Sequence, residues 1–371
     1  MHIGLLIYGS LETISGGYLY DRQLVQVLRA AGHTVEIVAL PWRNYGRHLT
    51  DNGALGLLTR LQNGGFDLLL QDELNHPSLA WLNGWLRPKV DYPFISIVHH
   101  LRSSEDHPRW LLPFYRWVER RYLNSVDGFL YNSRSTQATV MALLQQAKPC
   151  RIAYPAADHH LPPPTHQVLA TIQQRKQRQG PRQLLFVGNV IARKGLHLLL
   201  QALAQVPPSR WRLQVIGSVT SDRAYVAQIR QLIDRHALTN HVTLTGSATD
   251  AQIAAAYAQS DFYAAPAFEG FGISYLEAMS FGLPVIASTV GAAHEIVSPG
   301  VDGYLVAPTD VITLAAHITE LCTQADCLAA MSIAARQRYD RHPTWQSTFA
   351  PVVQWLEDFS QSSGKGAAGE P

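Results

Sequence analysis

Short apolar runs alternate with helical stretches along most of this chain, and the alternation starts afresh half-way. Residues 3–8, 34–40, 68–71, 94–98 and 128–132 are mainly apolar runs, each of strand length. A helical pattern over 19–31, stopped by Gly32, parts the first two, and helix or loop precedes the later ones. Strands that alternate with helices are joined by crossovers, so they form βαβ units and a parallel sheet. Pro162-Pro163-Pro164 then stiffens the chain, and the polar stretch 173–181 cannot build a core. Beyond it, strands are expected at 183–187, 212–216, 242–245, 262–265 and 285–287, with helices at 195–204, 224–236 and 251–259. The expectation is an α/β protein of two Rossmann-like, doubly wound halves facing a central cleft, with ligands outside the carboxyl ends of the strands.

Composition narrows the function classes. A length of 371 residues suits two domains at roughly 100–200 residues each. A formal charge of +2 gives no reason to expect nucleic acid as a partner. Cys322 and Cys327 lack a second ligand pair, so no zinc site is expected, and three cysteines in all fit a reducing, cytoplasmic setting. Residues 1–8 are too short for a signal h-region and carry no basic n-region. No uninterrupted apolar run approaches the ~18 residues that cross a bilayer.

Four places carry residue types with chemistry. Glu269 and Glu277 stand eight residues apart in Glu269-Gly270-Phe271-Gly272-Ile273-Ser274-Tyr275-Leu276-Glu277, a glycine-rich turn that runs into a helix. Helix-start amides suit an anion, and a carboxylate accepts two adjacent hydroxyls, so Glu277 fits a ribose diol and Glu269 a sugar ring. The competing reading makes Ser274 and Glu277 a capping box and Glu269 a solvated loop residue. Arg193 and Lys194 sit at a helix start, where cations are unfavourable unless a bound diphosphate faces them. Ser15-Gly16-Gly17 lies between first strand and first helix, either a plain βα turn or a place where phosphate approaches the backbone. It is not the dinucleotide fingerprint, which disfavours a nicotinamide dehydrogenase. His99 and His100 close the strand at 94–98, at a carboxyl end where sites cluster. On the acceptor side, the polar loop 72–76, with Asn75 and His76, joins His100 as a candidate, or is simply a solvated βα loop. Residues 109–122 mix aromatic, aliphatic and basic side chains in a helical stretch. That mix suits an interfacial helix on anionic lipid, and equally a core helix with a basic outer face.

These residues resemble the GT-B glycosyltransferases, and within them family 4 of the retaining enzymes. The likeness covers nearly the whole chain. It is most specific over Glu269-Gly270-Phe271-Gly272, Glu277-Ala278-Met279, Gly282-Leu283-Pro284-Val285, Gly291-Ala292-Ala293-His294-Glu295 and Gly300-Val301-Asp302-Gly303-Tyr304. Gly16-Gly17, Val98-His99 and Asn132-Ser133 resemble the family's first half. The resemblance implies a nucleoside-diphosphate sugar, a UDP-sugar at family level, bound mainly by the second domain, and transfer with retention to a hydroxyl of a lipid, glycan or small molecule. By position, Glu277 would hold the ribose, Glu269 and His99 the donor sugar, and Lys194 with Arg193 the diphosphate. The amides of Phe271, Gly272 and Ile273 would contact sugar or phosphate, Gly16 and Gly17 would close over the phosphates, and Asn189 and Gly217 belong to the same donor set. No cofactor or divalent metal is implied, since the two cations could supply the charge. The family's usual arginine is Asn189 here, and Arg193 stands where acidic residues are common.

The implied domains are 1–164 on the acceptor side, a polar linker at 165–181, a donor domain at 182–342, a crossover helix at 343–359 that packs on the first domain, and a disordered tail at 360–371. The implied location is cytoplasmic, with peripheral contact at the inner face of the membrane if 109–122 is interfacial. An epimerase or phosphorylase on the same architecture, or a non-catalytic sugar-binding module, stays open at this level.

Overall fold

A computed structural model describes residues 1–105, 107–160 and 162–365. The chain forms two compact units, one of residues 1–155 joined by the segment from Pro343 onward, the other Ala156–His342.

In the first unit, β1 (His2–Tyr8), β2 (Thr34–Leu40), β3 (Leu68–Asp72), β4 (Phe94–Val98), β5 (Gly128–Tyr131) and β6 (Cys150–Ile152) form one sheet in the order β2-β1-β3-β4-β5-β6. Every pairing is parallel. In the second, β7 (Arg182–Val187), β8 (Trp211–Ile216), β9 (Val242–Gly246), β10 (Phe262–Ala265), β11 (Val285–Ser288) and β12 (Gly303–Val306) run in the order β12-β11-β10-β7-β8-β9, again all parallel. The central strands β3, β4, β10 and β11 are buried along their whole length, as strands covered by helices on both faces must be. β6 and β12 escape the sequence reading because they are short edge strands of three and four residues, with little periodicity to find.

Two expectations change. The stretch 165–181, expected as a linker, contains the helix Thr165–Gln177, which belongs to the second unit. Val168 and Ile172 lie one turn apart on one face, and bury against Ala329 and Ile333. Arg175, the next residue of that face, donates to the carbonyls of Phe281, Tyr257 and Ala258, so a stretch that reads as solvated is pinned down by one buried guanidinium. The C-terminal helix is Trp345–Lys365, longer than expected, and so includes 360–365 of the supposed disordered tail. Ser360 there donates to the Asp67 carbonyl, which ties the last turns to the first unit. The remainder of that tail lies outside the described residues.

The helix Leu112–Ser125 buries one face and exposes another. Tyr115, Val118, Tyr122 and Leu123 are buried, whereas Trp117 is 54% exposed, Phe114 39% and the preceding Trp110 77%. Arg109, Arg116, Arg120 and Arg121 are exposed beside them. No helix among the described residues is long and apolar enough to cross a membrane.

Candidate active site

The second sheet changes direction between β7 and β10: β8 and β9 lie on one side of β7, β10 to β12 on the other. Connections that leave a sheet at such a point turn to opposite faces, and open α/β sheets bind ligands there. The sequence places its two chemical segments in those connections, residues 188–195 after β7 and 266–272 after β10.

The first connection is braced from below. Asn189 Oδ1 accepts from the Ser218 amide at 3.2 Å, and the Val190 amide donates to the Ser218 carbonyl at 3.0 Å. Gly217 has φ 150°, and a Cβ there would fall inside the Gly188 carbonyl, so the loops after β7 and β8 touch backbone to backbone. Asn189 and Gly217, expected to touch the donor, thus shape the loop that carries the cations. Lys194 ends the turn Ala192–Lys194, and its ammonium pairs with the Glu269 carboxylate. Arg193 Nη1 donates to the Phe268 carbonyl at 3.4 Å. Both cations therefore reach across the switch point to the second connection.

That connection is held in turn by the loop after β11. Glu269 bridges to Gly291, and its carbonyl accepts from the Ala292 amide at 3.1 Å. The helix Ile273–Ser280 starts directly at Gly272, whose φ of 103° is left-handed and whose missing Cβ leaves room for the Tyr275 ring. The helix start settles the capping-box reading. With Gly272 as N-cap, Ser274 is already inside the first turn, and its hydroxyl accepts from Tyr263 Oη at 3.1 Å. Glu277 is instead gripped from outside its helix, by Tyr257 Oη at 2.8 Å and His159 Nε2 at 3.1 Å, with 9% of its surface exposed. The arrangement joins a carboxylate with two polar neighbours, a lysine–glutamate pair and a helix N-terminus, groups that suit hydroxyls and phosphate oxygens respectively.

The first unit gathers a second set. His99 follows β4, and its Nε2 pairs with Asp21 Oδ1 of the helix Gly16–Ala30 at 3.2 Å. Gly17 lies against the same imidazole, where a Cβ would come within 3.1 Å of His99 Cδ2. Asp72, at the end of β3, completes a group whose ligand atoms lie within 4.8 Å of one another. Burial, then the Asp21 charge, pushes the Asp72 carboxyl up to about 7. Burial pulls the His99 imidazole down, but Asp21, Asp72 and Glu73 outweigh it and hold it above its ordinary value.

The acceptor candidates separate. His100 Nε2 pairs with Glu105 Oε1 at 2.9 Å and is partly exposed. Asn75 is fully buried; oriented to satisfy its neighbours, its amide donates to the Leu6 and Asp72 carbonyls and accepts from the Tyr8 amide. His76 is 2% exposed, with Nε2 at 3.0 Å from Tyr45 Oη, and burial pulls its imidazole down to about 4. Neither presents itself to a ligand from solution: a polar loop turns inward because its side chains satisfy the strand ends beneath it.

Residues 16–161 match the family model for Glycosyltransferase Family 4, and residues 169–338 that for Glycosyl transferases group 1. The chain belongs to the family 4 glycosyltransferases. A GDP-mannose-dependent alpha-(1-6)-phosphatidylinositol monomannoside mannosyltransferase of Mycobacterium tuberculosis is 26% identical over 257 residues, 66% of this chain and 66% of that enzyme. The family 4 chain thus spans just under two thirds of that relative. A phosphatidyl-myo-inositol mannosyltransferase of Mycobacterium leprae is 25% identical over 394 aligned positions, which cover 98% of this chain and 99% of that one. The sucrose-phosphate synthase structure from Thermosynechococcus elongatus superposes with a TM-score of 0.80 at 21% identity over 99% of this chain and 100% of that one, which shows the GT-B fold.

Sequence reading of this family 4 chain misses Asp21, Tyr257 and His159, and takes Asp72 only as part of a candidate acceptor loop. Asp21 had a signal: it stands one helical turn after Gly17 and so shares the face that meets His99. Tyr257 reaches Glu277 from twenty residues away and His159 from still farther, and no local pattern marks such partners.

Proposed function

We propose that this chain transfers a hexose from a nucleoside-diphosphate sugar to a hydroxyl acceptor, with retention. The observation that carries the reading is the Lys194–Glu269 pair at the β7/β10 switch point, with Glu277 just over one turn into the helix that starts there. Glu277 accepts the ribose hydroxyls, and Tyr257 orients its carboxylate. The diphosphate takes Lys194 and the amides of Phe271, Gly272 and Ile273. Glu269, released from the lysine, turns to the donor sugar. Arg193 follows Lys194 toward the leaving phosphate. Retention follows if the leaving phosphate takes the proton of the incoming hydroxyl on the same face, so no strong protein base is required. Lys194 stabilises the phosphate charge in place of a divalent metal at that point, and added Mg²⁺ or Mn²⁺ leaves kcat unchanged.

A UDP-sugar is the family-level expectation, whereas the Mycobacterium tuberculosis relative is named for GDP-mannose. The base is therefore decided by a thermal-shift panel of UDP- and GDP-sugars. The right donor at about 100 times its dissociation constant should stabilise the chain by roughly 2.7 kcal/mol. NMR of the sugar released or transferred then reports its anomeric configuration. A panel in which no nucleotide raises Tm removes the transferase reading.

For the acceptor we propose a lipid-borne hydroxyl met at an anionic membrane surface. Exposed Trp110, Phe114 and Trp117 beside Arg109, Arg116, Arg120 and Arg121 supply ring surface for the headgroup layer and charge for anionic lipid. Two relatives are named for phosphatidylinositol-based acceptors, which supports the same reading.

A further inference from the structure

Behind His99 and His100, the first unit buries a group of side chains that the transfer reaction does not use. Glu73 is 3% exposed, His76 2% and Glu119 fully buried. They come from three places: the turn after β3, the short helix His76–Leu79 that follows it, and the second half of the helix Leu112–Ser125. One ligand atom from each lies within 4.8 Å of the other two. His76 Nδ1 stands 3.0 Å from Glu73 Oε1. Two ligands on one ion, each bound at about 2.0–2.2 Å, stand about that far apart.

The oxygens are poorly served as they stand. Glu119 Oε1 accepts from the Ser103 amide at 2.9 Å, but Glu119 Oε2 has no hydrogen-bond partner among the described residues. Glu73 Oε1 has no hydrogen-bond partner either, although it faces the imidazole. Two carboxylate oxygens without donors in a buried site carry a desolvation cost that a cation removes. Arg102 is the nearby guanidinium. It lies over the Tyr45 and Tyr115 rings, 5.0 and 4.9 Å from their centroids, and makes no ion pair with either glutamate. His76 Nδ1 donates to the Glu73 backbone carbonyl at 3.1 Å, so a metal at Nδ1 would take the place of that proton. Tyr45 Oη, 3.0 Å from Nε2, is then placed to accept from that nitrogen, the outer-shell partner that metal-bound histidines commonly have.

We propose that Glu73, His76 and Glu119 bind one divalent transition-metal ion, of the zinc or manganese class. A nitrogen with two carboxylates suits these ions, and the three ligands leave a coordination position for water. The ion fastens the turn after β3 to the helix Leu112–Ser125, so its role is structural. It stands apart from the diphosphate chemistry proposed above and does not depend on it.

The test is metal content, read without activity. The full chain, purified and freed of metal with EDTA, is titrated with Zn²⁺ and, separately, Mn²⁺ against a chromophoric chelator. About one equivalent should be retained, and Tm should rise on addition. X-ray absorption of the zinc-loaded protein should show oxygen and nitrogen neighbours with no sulfur, which excludes Cys150, Cys322 and Cys327 as the binding site. Glu119→Gln and His76→Gln should each lose that equivalent, whereas Glu277→Gln should keep it. The Glu277 variant also separates this site from the donor site. Failure of the wild-type protein to retain either metal overturns the proposal and leaves a proton shared by the two glutamates as the occupant. A bound metal with sulfur neighbours, or one kept by both ligand variants in folded protein, overturns it equally.

Discussion

At the scale of single residues, the proposed donor site is a set of carboxylates whose partners are already in place. Glu277 is held by Tyr257 and His159, and Glu269 by Lys194, so a nucleotide sugar has to replace contacts rather than fill open space. The two glutamates should therefore fail differently. Glu277→Ala removes a charged acceptor of ribose hydroxyls and should weaken donor binding roughly 10- to 150-fold, since hydrogen bonds to charged groups are worth about 1.5–3 kcal/mol. Glu269→Ala should lower kcat with a smaller change in donor affinity. Isothermal titration with the donor beside initial-rate kinetics decides it, and the reverse pattern would exchange their roles. Asp72 makes a different kind of prediction. Its carboxyl is raised from 3.8 to about 7 by burial and then by Asp21. Between those values the native state holds a proton that the unfolded chain has released, so this group costs stability as pH rises through the window. Asp72→Asn should flatten the decline in Tm from about pH 4 to about pH 7 relative to the wild-type chain. An unchanged slope would show that the carboxyl is not held up by its surroundings.

At the scale of elements, burial decides what each amphipathic segment does. The helix Leu112–Ser125 satisfies its core side with Val118, Tyr122 and Leu123 and still presents Trp117 and Phe114 outward, with Trp110 just before it. Wet indoles among arginines are poorly explained by core packing alone. Flotation with liposomes should recover the protein on vesicles rich in anionic lipid at low salt, and not on neutral ones. Combined Trp110→Ala and Trp117→Ala should lower recovery without lowering Tm, because neither ring fills the core. Absence of flotation at low salt would end the membrane reading. The helix Thr165–Gln177 teaches the opposite lesson. Its composition reads as a solvated linker, but Val168, Ile172 and Arg175 fall on one face, and a single face is enough to dock it.

At the scale of the whole molecule, the chain leaves its first unit at residue 155 and returns to it at Pro343. The returning helix buries Trp345, Phe349, Val352 and Leu356, with Trp345 and Phe349 stacked on each other and both meeting Tyr20 edge-on. At about 1.5–3 kcal/mol for each side chain, these four rival the ~5–15 kcal/mol that holds a domain together. A chain ending at His342 should therefore lose the fold of residues 1–155, seen as loss of helical circular dichroism and of one thermal transition. A soluble, cooperatively folded product of that length would refute the dependence. The order of elements, the parallel sheets and the Glu269–Glu277 turn were legible in the sequence, because alternation, glycine placement and helix starts are local, and local patterns survive without knowledge of the fold. The grip of Tyr257 and His159 on Glu277, the Asp21–His99 pair, the inward turn of Asn75 and His76, and the Glu73–His76–Glu119 group were decided by the tertiary structure alone. Each joins side chains from separate segments, and only the packing of those segments fixes which polar groups meet and which must be buried.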